Sequence, residues 1–166
     1  MTTTAQPTRP TMPDSYGISN KTEGLLSWDW VEEQMTKAKN YWVSSVRPDG
    51  RPHTMPISGL WVNGFLYFSS DRKARRSRNL MANPQASVHL ESADEVVIME
   101  GLIEDVKDQA ELNTIAHALG AKFNSEFVTQ LTLDPANVLF KLTPQVVFAW
   151  TENDYPNTAT RWVFKE

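Results

Sequence analysis

Five cations stand within seven residues near the middle of the chain, in the segment Arg72-Lys73-Ala74-Arg75-Arg76-Ser77-Arg78. The segment follows an apolar run with strand-like patterning and opens a short helix-like stretch. Guanidinium groups bind phosphate and carboxylate groups in a bidentate geometry. Cations in the first turn of a helix oppose the helix dipole, and a bound anion offsets that cost. We therefore predict a site for a phosphorylated cofactor, with a solvated helix face as the alternative.

Other chemically reactive patterns are scarce in this sequence. The chain has no cysteine, which excludes disulfides, thiolate nucleophiles and cysteine-ligated metals. His53, His89 and His117 lack metal-binding spacing, so we expect no metal site. We find no glycine-rich phosphate loop, nucleophile elbow or paired-carboxylate motif. We assign no catalytic residue, because this composition favours a reaction whose difficult step is carried by a cofactor.

Length and charge limit the class of protein. The 166 residues, 40% of them hydrophobic, fit one domain with a real core. A net charge of -4 argues against a surface that binds nucleic acid throughout. The first 13 residues hold no apolar secretory core, and no run of about 18 apolar residues could span a membrane. We expect a soluble, cytoplasmic protein with a small-molecule substrate and no membrane or nucleic-acid partner.

The helices are predicted from caps and apolar spacing. Residues 1–24 are rich in Thr, Pro and Ser, which predicts a flexible N-terminal arm ahead of one domain over 25–166. Ser27 is a good N-cap for a first helix. Asp108 caps a later helix that Gly120 is predicted to end, and a short helix follows over residues 123–131.

The strands are predicted from turn signals and β-rich runs. Asp49-Gly50 and Asn63-Gly64 predict two consecutive hairpins, and hence a three-stranded meander over residues 41–70. Gly101 indicates a bulge or a close backbone approach within a later strand, and Thr143-Pro144 is predicted to separate two others. Six or seven strands with peripheral helices indicate a mainly β (α+β) fold, a small antiparallel barrel.

The order and spacing of several segments over residues 26–164 resemble the pyridoxamine 5'-phosphate oxidase-like split β-barrel flavoproteins. The resemblance is closest to their actinobacterial branch, which includes reductases that use the deazaflavin coenzyme F420. It implies the FMN-binding type of split barrel and a homodimer with cofactors between the subunits. The segments that carry it are Tyr41-Trp42-Val43-Ser44-Ser45-Val46-Arg47-Pro48-Asp49-Gly50-Arg51-Pro52-His53, Met55-Pro56-Ile57, Leu66-Tyr67-Phe68-Ser69-Ser70, Arg76-Ser77-Arg78-Asn79-Leu80 with Asn83-Pro84, Val147-Phe148-Ala149-Trp150 and Ala159-Thr160-Arg161-Trp162-Val163-Phe164.

The resemblance also implies a cofactor site, with the ring along the second strand and the phosphate at two adjacent arginines. The C-terminal residues would reach the ring from the partner subunit. The implied cofactor-binding residues are Met55, Pro56, Ile57, Ser58, Ser70, Arg75, Arg76, Arg78, Asn79, Trp150 and Arg161. A true pyridoxamine phosphate oxidase carries arginine where this chain has Met55 and lysine near Leu60, so that enzyme's own reaction is not expected.

The resemblance implies hydride transfer from reduced coenzyme F420 to an unsaturated or conjugated small molecule. The five cations of residues 72–78 exceed what one phosphate monoester needs, which favours the longer anionic tail of F420 over FMN. Solvent or a hydroxyl such as that of Tyr41 would supply the proton. The alternatives are an FMN-dependent oxidoreductase and a non-catalytic flavin-, haem- or tetrapyrrole-binding protein.

Overall fold

A computed structural model describes residues 5–164 and shows eight strands in one antiparallel sheet within that range. Each strand pairs antiparallel with its neighbours. The strands are β1 (Asn40–Val46), β2 (Pro52–Ser58), β3 (Leu60–Val62), β4 (Phe65–Asp71), β5 (Gln85–His89), β6 (Glu95–Asp105), β7 (Asn137–Thr151) and β8 (Thr160–Val163).

Five helices accompany this sheet in the described range. Three of them begin at side-chain caps, where Ser27, Asp108 and Ser125 accept hydrogen bonds from backbone N–H groups of the first turn. None of the described helices combines the length and the apolar character that crossing a membrane requires. The helices are α1 (Trp28–Lys37), α2 (Arg75–Ala82), α3 (Gln109–Lys122), α4 (Glu126–Leu133) and α5 (Tyr155–Thr158).

The strand order shows that the sheet is curled. It runs β2-β1-β5-β6-β7-β4-β3, with β8 added beside β7. β2 and β3 lie at opposite ends of this order although Gly59 alone joins them in the chain. The two ends of the sheet must therefore approach each other. This confirms the predicted split barrel, with seven strands along its path and β8 in addition.

The predicted three-stranded meander is wrong, because β2 does not pair with β3. The Asp49-Gly50 turn joins β1 to β2 and the Asn63-Gly64 turn joins β3 to β4, so both hairpins form as expected. Between the hairpins, a Cβ atom on Gly59 would lie 3.0 Å from the Tyr67 carbonyl oxygen. At Gly59 the chain therefore passes from β2 at one end of the sheet to β3 at the other, and a side chain there would be crowded by its neighbours.

The core fills the inside of the curled sheet. Its largest fully buried side chains include Trp162, Tyr41 and Phe68. Helix α1 closes one side, where the two carboxylate oxygens of Glu32 accept hydrogen bonds from the indole nitrogens of Trp28 and Trp61, at 2.9 and 2.8 Å. The chain thus provides acceptors for both indole groups at the core boundary, as such groups require.

Gly101 lies at a register shift between β6 and β7, as predicted. A Cβ atom there would lie 2.2 Å from the Thr143 carbonyl oxygen, so the close approach requires glycine. The predicted strand break at Thr143-Pro144 is wrong, since β7 runs continuously from Asn137 to Thr151. Proline is tolerated because Pro144 sits at the bulge, opposite Gly101, and Gln145 is the extra residue.

The predicted end of a helix at Gly120 is also wrong, because α3 continues to Lys122 and α4 begins later than expected, at Glu126. A Cβ atom on Gly120 would lie 1.9 Å from the Thr129 hydroxyl of α4. Gly120 therefore permits close packing of the two helices, a role that sequence spacing cannot separate from a helix end.

The described part of the predicted arm contacts the barrel. Thr8 forms two backbone hydrogen bonds with Arg161 of β8, at 2.9 and 2.7 Å. The Arg9 guanidinium donates to four backbone carbonyls, those of Lys21, Glu23, Asn157 and Ala159. These contacts tie residues 8 and 9 to the C-terminal strand and α5. The predicted flexibility of residues 1–24 stays a prediction, because it concerns motion. Residues 1–4 lie outside the described range.

Candidate anion-binding site

The arginine-rich segment enters α2 through a tight turn after β4. The Asp71 carboxylate accepts from the Lys73 N–H at 2.7 Å, and the Asp71 carbonyl accepts from the Ala74 N–H at 3.0 Å. Helix α2 then begins at Arg75 with no capping side chain at Ala74 and no acidic residue in its first turn. The positive end of this helix dipole therefore lacks the compensation that caps and carboxylates usually give.

Arg76 is half-buried at the centre of the site. Its Nη2 donates to the Ser70 hydroxyl at 3.1 Å, and its guanidinium carbon lies 5.7 Å from the centroid of the Phe68 ring. Its Nε atom is buried and has no hydrogen-bond partner within residues 5–164. Burial lowers the pKa of Arg76, although an arginine remains charged at neutral pH. A half-buried cation that lacks a counterion is costly unless an anion binds beside it.

A network of small polar side chains supports Arg76. The Ser77 hydroxyl donates to the Asp71 carbonyl at 2.6 Å and lies 2.9 Å from the Ser70 hydroxyl. The Asn79 amide donates to the Ser45 hydroxyl at 3.1 Å, while the Asn79 Oδ1 atom is buried without a partner. These bonds join α2 to β4 and to β1. The helix start is thereby held in a fixed position, as a binding site requires.

Two further residues of this neighbourhood come from the β1–β2 hairpin. Arg47 follows β1 directly, and His53 on β2 pairs with Ser45, whose hydroxyl donates to the His53 carbonyl at 3.3 Å. Burial lowers the pKa of His53, and the positive charges of Arg47, Arg76 and Arg75 lower it further. Sequence reasoning missed Arg47. The hairpin register is the signal that could have found it, because Arg47 stands two residues after Ser45 on the same face.

We call Arg47, Arg75, Arg76 and Arg78 the arginine cluster. None of these four guanidinium groups has a carboxylate within 4.0 Å in the part of the chain that the structure describes. Arg72 differs, because it pairs with Asp105 at 3.2 Å and donates to the Pro135 carbonyl at 3.1 Å. The predicted contribution of Arg72 to the anion site is therefore not supported. The remaining donor set fits a phosphate or carboxylate group.

The predicted ring-binding residues of β2 divide between its two faces. Met55 and Ile57 pair with buried residues of β1 and share their face, whereas Pro56 and Ser58 lie on the other. Ile57 is only 5% exposed and belongs to the core, while Met55 is 47% exposed. The Ser58 hydroxyl donates to the Asn40 side chain at 3.2 Å. Met55 is thus the side chain that β2 exposes on the face it shares with His53.

The recorded contacts of Trp150 and Arg161 are with other parts of the barrel. Trp150 on β7 packs edge to face against Tyr155, with ring centroids 5.5 Å apart. Arg161 on β8 pairs with Phe148 of β7. The described contacts connect neither residue to α2 or to the β1–β2 hairpin. Their predicted reach to the cofactor from a partner subunit stays a prediction.

The suggestion that Tyr41 supplies a proton is contradicted by its position. Tyr41 is fully buried, and its hydroxyl donates to the Met35 carbonyl at 2.6 Å. Burial also raises the pKa of this hydroxyl well above its ordinary value. A group that is enclosed by the core and bonded to backbone cannot exchange protons with a bound substrate.

A separate open groove of about 580 Å³ lies where β6 begins and β7 ends. Its lining includes three carboxylates, and it holds no member of the arginine cluster. No group of three or more His, Asp or Glu side chains within residues 5–164 has an arrangement that could hold a metal ion. The groove residues are Ser92, Asp94, Glu95, Thr151, Glu152 and Asn153.

Comparison with known proteins identifies the family. The family model described as pyridoxamine 5'-phosphate oxidase matches residues 28–151, well over half of the chain. The protein therefore belongs to the pyridoxamine 5'-phosphate oxidase family, which confirms the resemblance found in the sequence. No curated protein matches the chain.

Solved structures share the fold at low sequence identity. HutZ, the haem storage protein of Vibrio cholerae, is 22% identical with a TM-score of 0.63, and the match covers 72% of this chain and 91% of HutZ. A conserved hypothetical protein of Mycobacterium tuberculosis is 16% identical with a TM-score of 0.69, over 80% and 89% of the two chains. An F420 reductase is 23% identical with a TM-score of 0.55, over 69% and 94%. At these identities the likeness shows the fold alone.

Proposed function

We propose that this protein is an oxidoreductase that binds an anionic flavin-type cofactor and transfers hydride to an unsaturated or conjugated small molecule. Coenzyme F420 is the first candidate and FMN the second. The observation that carries the proposal is Arg76, a half-buried guanidinium that has, among residues 5–164, no partner for its Nε atom and no carboxylate beside it. The family match to a flavin-binding fold supplies the class of ligand that such a cation would meet.

In this proposal the chain binds and orients the cofactor through residues on three elements. Arg75, Arg76 and Arg78 would hold the anionic group, with the Ser70 hydroxyl fixing the orientation of the Arg76 guanidinium. Residues 55–58 of β2 would lie along the ring. When bound, the cofactor supplies the hydride chemistry that side chains cannot. Within residues 5–164, four guanidinium groups have no carboxylate partner, which is more than one phosphate monoester needs, and this supports the longer anionic tail of F420.

The protein would accelerate the reaction mainly by holding the cofactor and the substrate in position. Holding a donor and an acceptor in a reactive geometry supplies on the order of 7–11 kcal/mol. The arginine cluster includes no paired carboxylic acid among the described residues, and the Tyr41 hydroxyl is buried. We therefore assign the proton of the reaction to solvent, because the described residues place no acid beside the arginine cluster.

We also propose a homodimer, supported by the outer face of the sheet. Residues paired directly across strands lie on one face, and Trp42 is paired with both Pro56 and His89. The Trp42 and His89 rings are stacked, with centroids 6.5 Å apart. This row continues through Ile98 and Phe148 to Arg161, and is therefore largely apolar. An apolar sheet face of this kind suits a subunit interface, and burial of it would place Arg161 and Trp150 against the partner.

The alternative is a binding protein that holds haem or another tetrapyrrole without turnover. Two observations favour it. The fold is similar to that of a haem storage protein. His53 would supply the imidazole for haem iron, because burial and nearby arginines lower its pKa and its Nδ1 atom is buried with no hydrogen-bond partner among residues 5–164.

Titration of the purified protein with F420, FMN and haem distinguishes these proposals. We expect F420 or FMN to bind well below millimolar concentration, followed by oxidation of the reduced cofactor when enones, quinones or biliverdin-like acceptors are added. Binding of haem alone, with a spectrum lost in His53→Ala, would favour the storage alternative. Failure of all three ligands to bind below millimolar concentration would exclude both.

A further inference from the structure

The β1–β2 hairpin brings Arg47 and His53 to the start of α2. Side chains alternate along a strand, and directly paired residues share a face. Ser45 and His53 are such a pair, on the same side of the sheet as the buried Val43. Arg47 is next on that face, where its backbone N–H closes the hairpin by donating to the Arg51 carbonyl at 2.9 Å. Both side chains are half-buried.

Unsatisfied polar atoms are concentrated where the β1–β2 hairpin meets the start of α2. Five buried side-chain polar atoms of residues 5–164 lack a hydrogen-bond partner, and one of them, the Ser69 hydroxyl, lies on the face of β4 opposite Ser70. Leaving a buried polar atom unsatisfied is unfavourable, so four such atoms around one place indicate that a ligand completes the site. The four are Arg47 Nε, His53 Nδ1, Arg76 Nε and Asn79 Oδ1.

The charges around His53 show that hairpin and helix form one electrostatic site. Arg47 acts on His53 from the end of β1, and Arg75 and Arg76 act on it from α2. All three charges are positive, and together with burial they lower the His53 pKa. A lowered pKa favours the neutral imidazole, which can donate one hydrogen bond and accept another.

We propose that Arg47 and His53 also line the anion site, where we call them the second wall. The site then binds the end of a ligand that carries at least two negative charges. Such an end is a phosphate monoester, a pyrophosphate, or a phosphodiester followed by a carboxylate. Arg47 from the hairpin and Arg75 and Arg76 from α2 supply positive charge, and His53 supplies a hydrogen bond to an anion oxygen. This inference rests on the proposed function, because it extends the same cofactor site.

Histidine NMR tests the second wall directly. Inorganic pyrophosphate, added to the full-length protein, should raise the His53 pKa, because the anion offsets the three positive charges. His117 is exposed on α3 and serves as the internal control, with no expected response. In Arg47→Gln the pyrophosphate affinity should fall roughly tenfold, the loss of one charged hydrogen bond. Arg51→Gln is the matched control, since Arg51 pairs with Asp49 in the same hairpin at 2.7 Å.

The outcomes distinguish a failure of the second wall from a failure of the proposed function. The same titrations are repeated with whichever of F420 and FMN binds more tightly. If Arg76→Ala weakens binding while Arg47→Gln and Arg47→Lys bind like the natural protein, the second wall is wrong and the cofactor site stands. If neither pyrophosphate nor a cofactor binds, both proposals fail. Retention of affinity in Arg47→Lys, together with loss in Arg47→Gln, would support a charge contact over a structural role.

Discussion

Two cation-rich regions of this protein differ in how their charges are neutralised. Beside α3, Lys141 lies 3.1 Å from Glu111 and 3.7 Å from Glu104. Arg72 and Lys107 both pair with Asp105. We call these residues the paired cluster. In the arginine cluster, by contrast, no guanidinium group has a carboxylate partner within the described residues, and buried polar atoms remain unsatisfied.

The contrast shows that a run of cations in sequence need not act as one unit. Arg72 and Arg76 are four residues apart, yet Arg72 joins the paired cluster and Arg76 joins the other. The tight turn at Asp71 separates them before α2 begins. Cations that the fold itself neutralises are structural, whereas those left without partners are available to a ligand. The prediction that all five cations of residues 72–78 serve one anion is therefore not supported for Arg72.

The substitution Arg76→Ala should produce the largest effect on binding. It removes a half-buried guanidinium that Ser70 orients, and we expect a loss of roughly 1.5–3 kcal/mol in cofactor affinity, the scale of a hydrogen bond to a charged group. Fluorescence titration with F420 and FMN measures it. The matched control is Arg72→Ala, which alters the paired cluster and should leave cofactor affinity unchanged.

Equal losses in Arg76→Ala and Arg72→Ala would contradict the distinction between the clusters. An unchanged dissociation constant in Arg76→Ala would place the anion elsewhere. Urea unfolding of both variants checks that neither result comes from a damaged fold. Arg76→Ala should be no less stable than the natural protein in the absence of ligand, since it removes a half-buried charge that lacks a counterion.

A smaller effect, on stability alone, is expected from Glu111→Gln. The Glu111 carboxylate accepts from the Tyr67 hydroxyl at 2.7 Å and pairs with Lys141, and both contacts lower the Glu111 pKa. Because the group is partly exposed, we expect a loss of about 1 kcal/mol in the free energy of unfolding at pH 7. Cofactor affinity should not change.

The lowered pKa of Glu111 determines how the stability difference between the natural protein and Glu111→Gln should change with pH. A carboxyl group with a depressed pKa in the folded state stabilises the fold above its unfolded pKa, about 4.3 for glutamate. That contribution is lost as the pH falls through the folded-state value. Urea unfolding should therefore show a difference between the natural protein and Glu111→Gln that shrinks towards acid pH. A difference that stays constant down to pH 3 would mean that the charge of Glu111 does not stabilise the fold.

Local signals in the sequence predicted most of the elements. The Asp49-Gly50 and Asn63-Gly64 turns, the Ser27 cap and the Gly101 bulge all act through neighbours a few residues away, and each was confirmed. The separation of β2 from β3 was not predictable in this way. It depends on the curl of the whole sheet, which brings distant strands together on either side of Gly59.

The site was predicted unevenly for the same reason. The start of α2 was found because its cations are consecutive in the chain and oppose a helix dipole. Arg47 was missed because it reaches the site only through the register of β1 with β2, and because an arginine beside a turn is usually solvated. The Tyr41 hydroxyl was a plausible proton donor in the sequence, but Tyr41 is buried in the core. Its burial depends on which face of β1 packs inward, and the local sequence did not show this.

The smallest of these effects is expected from Arg75→Ala. Arg75 neighbours Arg76 but is exposed, so solvent and salt weaken its interaction with an anion. We expect a loss of about 0.5 kcal/mol in cofactor affinity at low salt, and almost none in 0.5 M salt, where the Debye length is a few ångströms. The Arg76→Ala loss should persist in that salt, because a half-buried contact is screened much less. Titrations of both variants at low and high salt measure the two losses. If the Arg76→Ala loss also disappears in high salt, burial does not distinguish the two arginines, and the anion contacts the cluster at its solvent-exposed edge.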